Sequence, residues 1–156
     1  MKIQSKLAVL FIISVLASNT LFSQTKDYRQ PLPLVKYKSN VDAPLTVKEL
    51  AQIKEVYGDQ AEKEILNRPQ RVKDIKHLLR NRIEIKLVSG GDLKPCPLLS
   101  EVSLFDAYVP TLTRDTNFNP QDFNPLKYNL NFYSRAAALY KVDNTNYYII
   151  IKTQYQ

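Results

Sequence analysis

The hydrophobic residues of this chain change period once, near Ile83, from the spacing of about 3.6 that makes a helix to the spacing of about 2 that makes a strand. That switch divides the sequence into a helical half and a β half. Before it, Thr46 followed by Glu49 forms a capping box, and Val47, Leu50, Ile53 and Tyr57 recur at helical spacing until Gly58. Asp59 with Glu62 repeats the capping pattern and predicts a short helix carrying Ala61, Ile65 and Leu66. Pro69 suits the first turn of a third helix, whose stripe of Val72, Ile75, Leu78 and Leu79 opposes Lys73, Lys76 and Arg80.

After the switch, Ile83, Ile85 and Leu87 alternate with Glu84 and Lys86 as far as the turn at Ser89–Asp92. Val102–Phe105 is a short candidate strand among proline-rich loops. Three further strands are expected over Tyr128–Tyr133, Ala137–Val142 and Tyr147–Thr153, joined by Ser134–Ala136 and by Asp143–Asn146. The expected fold class is α+β, with about three N-terminal helices packed on a small antiparallel sheet formed mainly by the C-terminal strands.

The first residues require a separate reading. Lys2 and Lys6 precede an apolar run, Leu7–Ala17, and a small-polar stretch ends near Ser23. The run is shorter than the roughly twenty residues that span a bilayer, so residues 1–23 are expected to be a cleaved secretory signal rather than an anchor. The net charge of +7 then falls to +5, because Lys2 and Lys6 leave with it. Residues 24–45, with Pro31, Pro33 and Pro44, are expected to form an extended arm, either loosely packed or docked on this protein or a partner. Residues 46–156 make one α+β domain.

Composition removes several chemistries. One cysteine, one histidine and three glycines supply neither a four-ligand zinc site nor a glycine-rich phosphate cradle, and no cofactor or metal is expected. Cys96 lies between Pro95 and Pro97 and reads as a constrained loop thiol, free or bridged to a partner. His77 falls near the polar side of its helix and reads as an exposed imidazole, so a Cys96–His77 dyad has little behind it. Asp106, Asp115 and Asp122 are the carboxylates that a small secreted hydrolase would use. The basic run from Arg71 to Arg82 reads as a solvated face (Lys73, Lys76, Arg80). Its functional alternatives are an acidic protein surface, lipid or surface polysaccharide; export argues against nucleic acid.

Six of the ten tyrosines lie in the last 29 residues, and the final strand is apolar on both faces: Tyr147, Ile149 and Ile151 on one, Tyr148 and Ile150 on the other. A face not covered by the protein's own helices would be a binding surface. The candidate partner contacts are Leu32, Leu34 and Tyr37 in the arm, and Tyr147, Tyr148 and Ile150 in the sheet. No catalytic residue is assigned.

The signal end Leu21-Phe22-Ser23-Gln24, the Tyr57-Gly58 pair and the segments Lys76–Arg82, Phe123–Tyr128 and Val142–Tyr147 resemble those of small exported proteins of Bacteroidota, especially flavobacteria. Some of these accompany giant surface adhesins of gliding motility. The resemblance implies an accessory role in the periplasm or at the cell surface and carries over no catalytic residue. The function expected is non-catalytic binding of a larger cell-envelope or surface protein, by strand addition at the C-terminal strand or by arm docking.

Overall fold

The structure, a computed structural model, describes residues 34–89 and 95–155. The expected signal, the arm up to Pro33 (with Leu32) and, within residues 90–94, all of the expected Ser89–Asp92 turn but Ser89 lie outside the described residues. Helix α1, Val47–Tyr57, starts as its sequence dictates. The Thr46 hydroxyl accepts from the Glu49 amide at 3.1 Å, and the Glu49 carboxylate accepts from the Thr46 amide at 2.8 Å. It stops at Gly58, whose φ of 50° favours glycine, and where a Cβ would meet Val109 at 3.1 Å.

The buried face of α1 is Glu49, Gln52, Ile53 and Val56, so the expected stripe is rotated and Val47 is 88% exposed. The polar members explain the rotation. Gln52 donates from its side chain to the Phe123 carbonyl, its own carbonyl accepts from the Asn124 side chain, and Glu49 receives Arg80.

A π-wound segment, Glu62–Leu66, buries Ala61 at its start and Ile65. Asp59 does not cap it, lying instead in the tight turn Gly58–Gln60 without a side-chain cap bond. Helix α2, Pro69–His77, has proline in its first turn as expected and continues as a π-wound stretch, Leu78–Arg82, directly into strand β1, Ile83–Leu87.

Strands β2, Ala138–Lys141, and β3, Tyr147–Ile151, complete an antiparallel sheet of order β1-β3-β2. Ile149 stands between Ile85 and Tyr140, and Ile150 between Glu84 and Leu139. Asn144, at φ 54°, provides the left-handed residue in the turn before β3. The architecture is α+β, with its helices in the N-terminal half.

Tyr128–Tyr133 is not a strand. Leu130 donates to the Tyr128 carbonyl and Phe132 to the Leu130 carbonyl, each at 2.7 Å, so the chain folds in successive tight turns. The candidate strand at 102–105 is correspondingly reduced to an isolated bridge between Leu104 and Tyr128. One apolar cluster lies under the sheet around Phe123, Tyr128, Tyr140, Ile149 and Ile151. A second lies among the helices around Ile53, Val56, Ile65 and Leu78, and Ile83 and Phe132 pack against both.

Candidate partner-binding edge

The expected basic face is not a solvated surface. Residues 34–45 lie across it. Lys76 is buried and donates its amine to the Ala43 carbonyl at 3.0 Å. Arg80 forks onto both carboxylate oxygens of Glu49 at 2.6 Å and onto the carbonyls of Asn40, Ala43 and Pro44. Lys73 sits 4.8 Å from the centre of the Tyr37 ring. Tyr37 itself donates to Asp74, accepts from Gln70 and meets His77 edge-on at 5.1 Å.

His77 is buried rather than exposed, and burial, reinforced by Arg82, holds its pKa below the ordinary histidine value. Of the arm's candidate contacts, Tyr37 is therefore engaged internally, whereas Leu34 is 88% exposed. A helical wheel shows which side of α2 is charged. It does not show that a segment some forty residues upstream covers that side.

The hydrogen bonds from Arg80 pull the Glu49 carboxyl below its usual range. A carboxylate with a lowered native pKa contributes stability above its unfolded value and loses it as pH falls through the native one. Glu49→Gln should therefore remove part of the stability loss between neutral pH and about pH 3, measured as the urea midpoint against pH.

The three candidate hydrolase carboxylates do not converge. Asp115 accepts from the Lys127 amine at 2.6 Å and from the Tyr128 hydroxyl at 3.1 Å. Burial would lower the Lys127 pKa, but Asp115 and Glu55 together hold it above the ordinary lysine value, so the group is a fixed cation between two anions. Asp122 accepts from Asn119 within its own turn, and Asp106 is exposed. The cleft that Asp115 lines, with Arg114, Ser100 and Asp143, contains neither of them. The cleft around His77 contains no cysteine, and Cys96 is half-buried and unbridged. Among the described residues no His, Cys, Asp and Glu cluster could hold a metal ion, and no helix is long and apolar enough to cross a membrane.

The sheet places the candidate residues of β3 differently from expectation. β3 is the central strand, hydrogen-bonded on both sides, so its own edge accepts nothing further. Tyr147 points inward against Phe118, with ring centres 5.4 Å apart, while Tyr148 and Ile150 lie half-buried on the outer face. The far side of β2 is occupied where the Lys141 amide donates to the Pro97 carbonyl at 3.0 Å and Leu98 forms a bridge.

Besides Lys141, β2 turns only Leu139 outward, so the longer open side among the described residues is that of β1. Val88 donates to the Asn146 carbonyl and Lys152 to the Arg82 carbonyl at the two ends of the β1–β3 ladder. Main-chain groups alternate sides along an antiparallel strand, so Glu84 and Lys86 bond to β3 while Ile83, Ile85 and Leu87 turn theirs outward. Only the Ile83 amide is then used within the chain, donating to the Leu78 carbonyl; among the described residues the outward groups of Ile85 and Leu87 have no partner. A cleft of about 440 Å³ is lined by the same Ile83 and Ile85, with Leu79, Pro120, Phe123 and, from α1, Lys48 and Gln52. Lys48 donates to the Gln121 carbonyl, tying α1 to the 119–123 turn beside that cleft. Leu87, at the end of the strand, is 61% exposed.

In comparisons with protein-family models, curated proteins and solved structures, nothing matches this chain.

Proposed function

We propose that the chain is a non-catalytic, exported accessory module that binds a larger cell-envelope or surface protein by accepting one of its strands on the β1 edge. The resemblance to exported flavobacterial proteins favours an adhesin-type partner of the gliding apparatus. The observation that carries the reading is the open side of β1 next to a cleft of mixed lining, in which Ile83, Ile85 and Phe123 supply the apolar part. An added strand would take main-chain bonds from Ile85 and Leu87 and place alternate side chains against Ile83, Ile85 and Phe123. A hydrolase reading has no such support, since its carboxylates are dispersed or tied up in ion pairs.

The test is photo-crosslinking in the native envelope, with the reactive residue placed at Leu87 on the edge or at exposed Val47 on α1. Capture is expected from position 87 and not from 47. Ile85→Pro removes an outward amide, which edge strands tolerate, and should reduce the captured product at least about tenfold while leaving the protein folded by circular dichroism. Equal capture from both positions, or capture indifferent to Ile85→Pro, would remove the strand-acceptor reading.

A further inference from the structure

The β1 edge is complementary to itself. Its sequence, Ile83-Glu84-Ile85-Lys86-Leu87, reads apolar, acidic, apolar, basic, apolar. An antiparallel pairing of two copies about a twofold axis at Ile85 sets Ile85 opposite Ile85 and Ile83 opposite Leu87. It also sets Glu84 of each copy opposite Lys86 of the other.

The charged pair stands on the outer face of the sheet, where Glu84 already lies 3.0 Å from Lys86 and from Lys152 of its own chain. Directly opposed unlike charges stabilise neighbouring strands, and like charges destabilise them. Moving the axis to Glu84 or to Lys86 opposes two glutamates or two lysines, and a parallel in-register pairing does both. Of the axes along the strand, the one at Ile85 alone sets both charged residues, Glu84 and Lys86, opposite an unlike charge.

The main chain agrees with that choice. Ile85 directs both its amide and its carbonyl outward, so the two Ile85 residues exchange a reciprocal pair of hydrogen bonds. Each Leu87 amide meets the other copy's Ile83 carbonyl. The remaining outward donor, the Ile83 amide, needs no partner because Leu78 accepts it within the chain.

The inner face also matches, since the 61% exposed Leu87 of one copy arrives opposite Ile83, beside the cleft lined by Leu79 and Phe123 of the other. A twofold interface repeats every such contact. We infer that β1 pairs with β1 of a second copy, joining the two three-stranded sheets into one and covering the open edge when no other strand occupies it.

This inference concerns the same edge as the proposed function but stands without it. A pairing of five residues is smaller than the interfaces of about 1,200 Å² and above that hold stable complexes, so the dimer should be weak and exchangeable. Sedimentation equilibrium of the purified chain between about 1 µM and 1 mM should show a reversible monomer–dimer equilibrium.

Glu84→Lys and Lys86→Glu should each weaken it about tenfold, because each turns two attractive cross-strand pairs repulsive. Mixing the two variants, so that a chain with two lysines faces one with two glutamates, should restore association as a heterodimer. The double exchange Glu84→Lys/Lys86→Glu should restore the homodimer. That rescue separates lost pairing from lost folding.

A monomer across the whole range, or a dimer indifferent to both single substitutions, would overturn the inference. Crosslinking from Leu87 to an envelope protein by a chain that is monomeric when pure would overturn self-pairing and keep the proposed function. A charge-dependent dimer with no capture from Leu87 would do the reverse.

Discussion

Arg80→Ala is expected to lower the unfolding free energy by about 3 kcal/mol, the lower end of what removing one partner of a buried ion pair costs. The side chains of Arg80 and Glu49 are only 15% and 9% exposed, so the pair is largely withdrawn from water although it lies near the surface. Removing the guanidinium leaves Glu49 buried with the Thr46 cap as its remaining support, and frees the Asn40 and Pro44 carbonyls that the fork collects, while the Ala43 carbonyl keeps Lys76.

The substitution also predicts where the structure loosens. Residues 34–45 carry Val41, which is 1% exposed, so the segment is held from one side by Arg80 and Lys76 and from the other by its own buried valine. Limited proteolysis within 39–45 should accelerate before global unfolding does. Arg80→Lys should recover a minority of the loss, since an ammonium lacks the planar fork that meets both Glu49 oxygens. A urea-unfolding loss below about 1 kcal/mol would place the pair with ordinary surface salt bridges.

The same interaction explains what the sequence could and could not disclose. The start of α1 is written locally: Thr46, Glu49 and Gly58 specify both ends through bonds spanning three or four residues. The environment of α2 is not local. Lys76, His77 and Arg82 look like surface residues on a wheel of 100° per residue, but the 34–45 segment covers that side and the π winding of Leu78–Arg82 changes the phase.

Tyr128–Tyr133 shows a different limit. Its alternate burial is real, with Tyr128 and Leu130 inside, but a ribbon of tight turns gives the same alternation as a strand, so the pattern does not say where the main-chain bonds go. The position of β3 was legible in principle. A strand apolar on both faces belongs in the middle of a sheet, whereas Ile83–Leu87, alternating cleanly between apolar and charged, carries the pattern of an edge. The cleft beside it, built from α1, β1 and the 119–125 loop, has no sequence signature because its walls come from three distant stretches.

The second large effect tests that placement. Ile149→Ala should destabilise the protein by about 4 kcal/mol. The side chain is fully buried, stands between Ile85 and Tyr140 on the inner face, and its removal opens a cavity in the central strand that neither neighbour can close without breaking the ladder. Ile150→Ala, one residue along, should cost about 1 kcal/mol, because its side chain lies half-buried on the outer face between Glu84 and Leu139 and its loss is filled by water rather than left as a void. The two substitutions delete the same atoms from adjacent positions of one strand, so the difference reads out the covering of the two faces. Equal and large losses in urea unfolding would mean that the outer face is buried too, and a loss that grows with protein concentration would assign that cover to a second copy packed on the face rather than paired along the β1 edge.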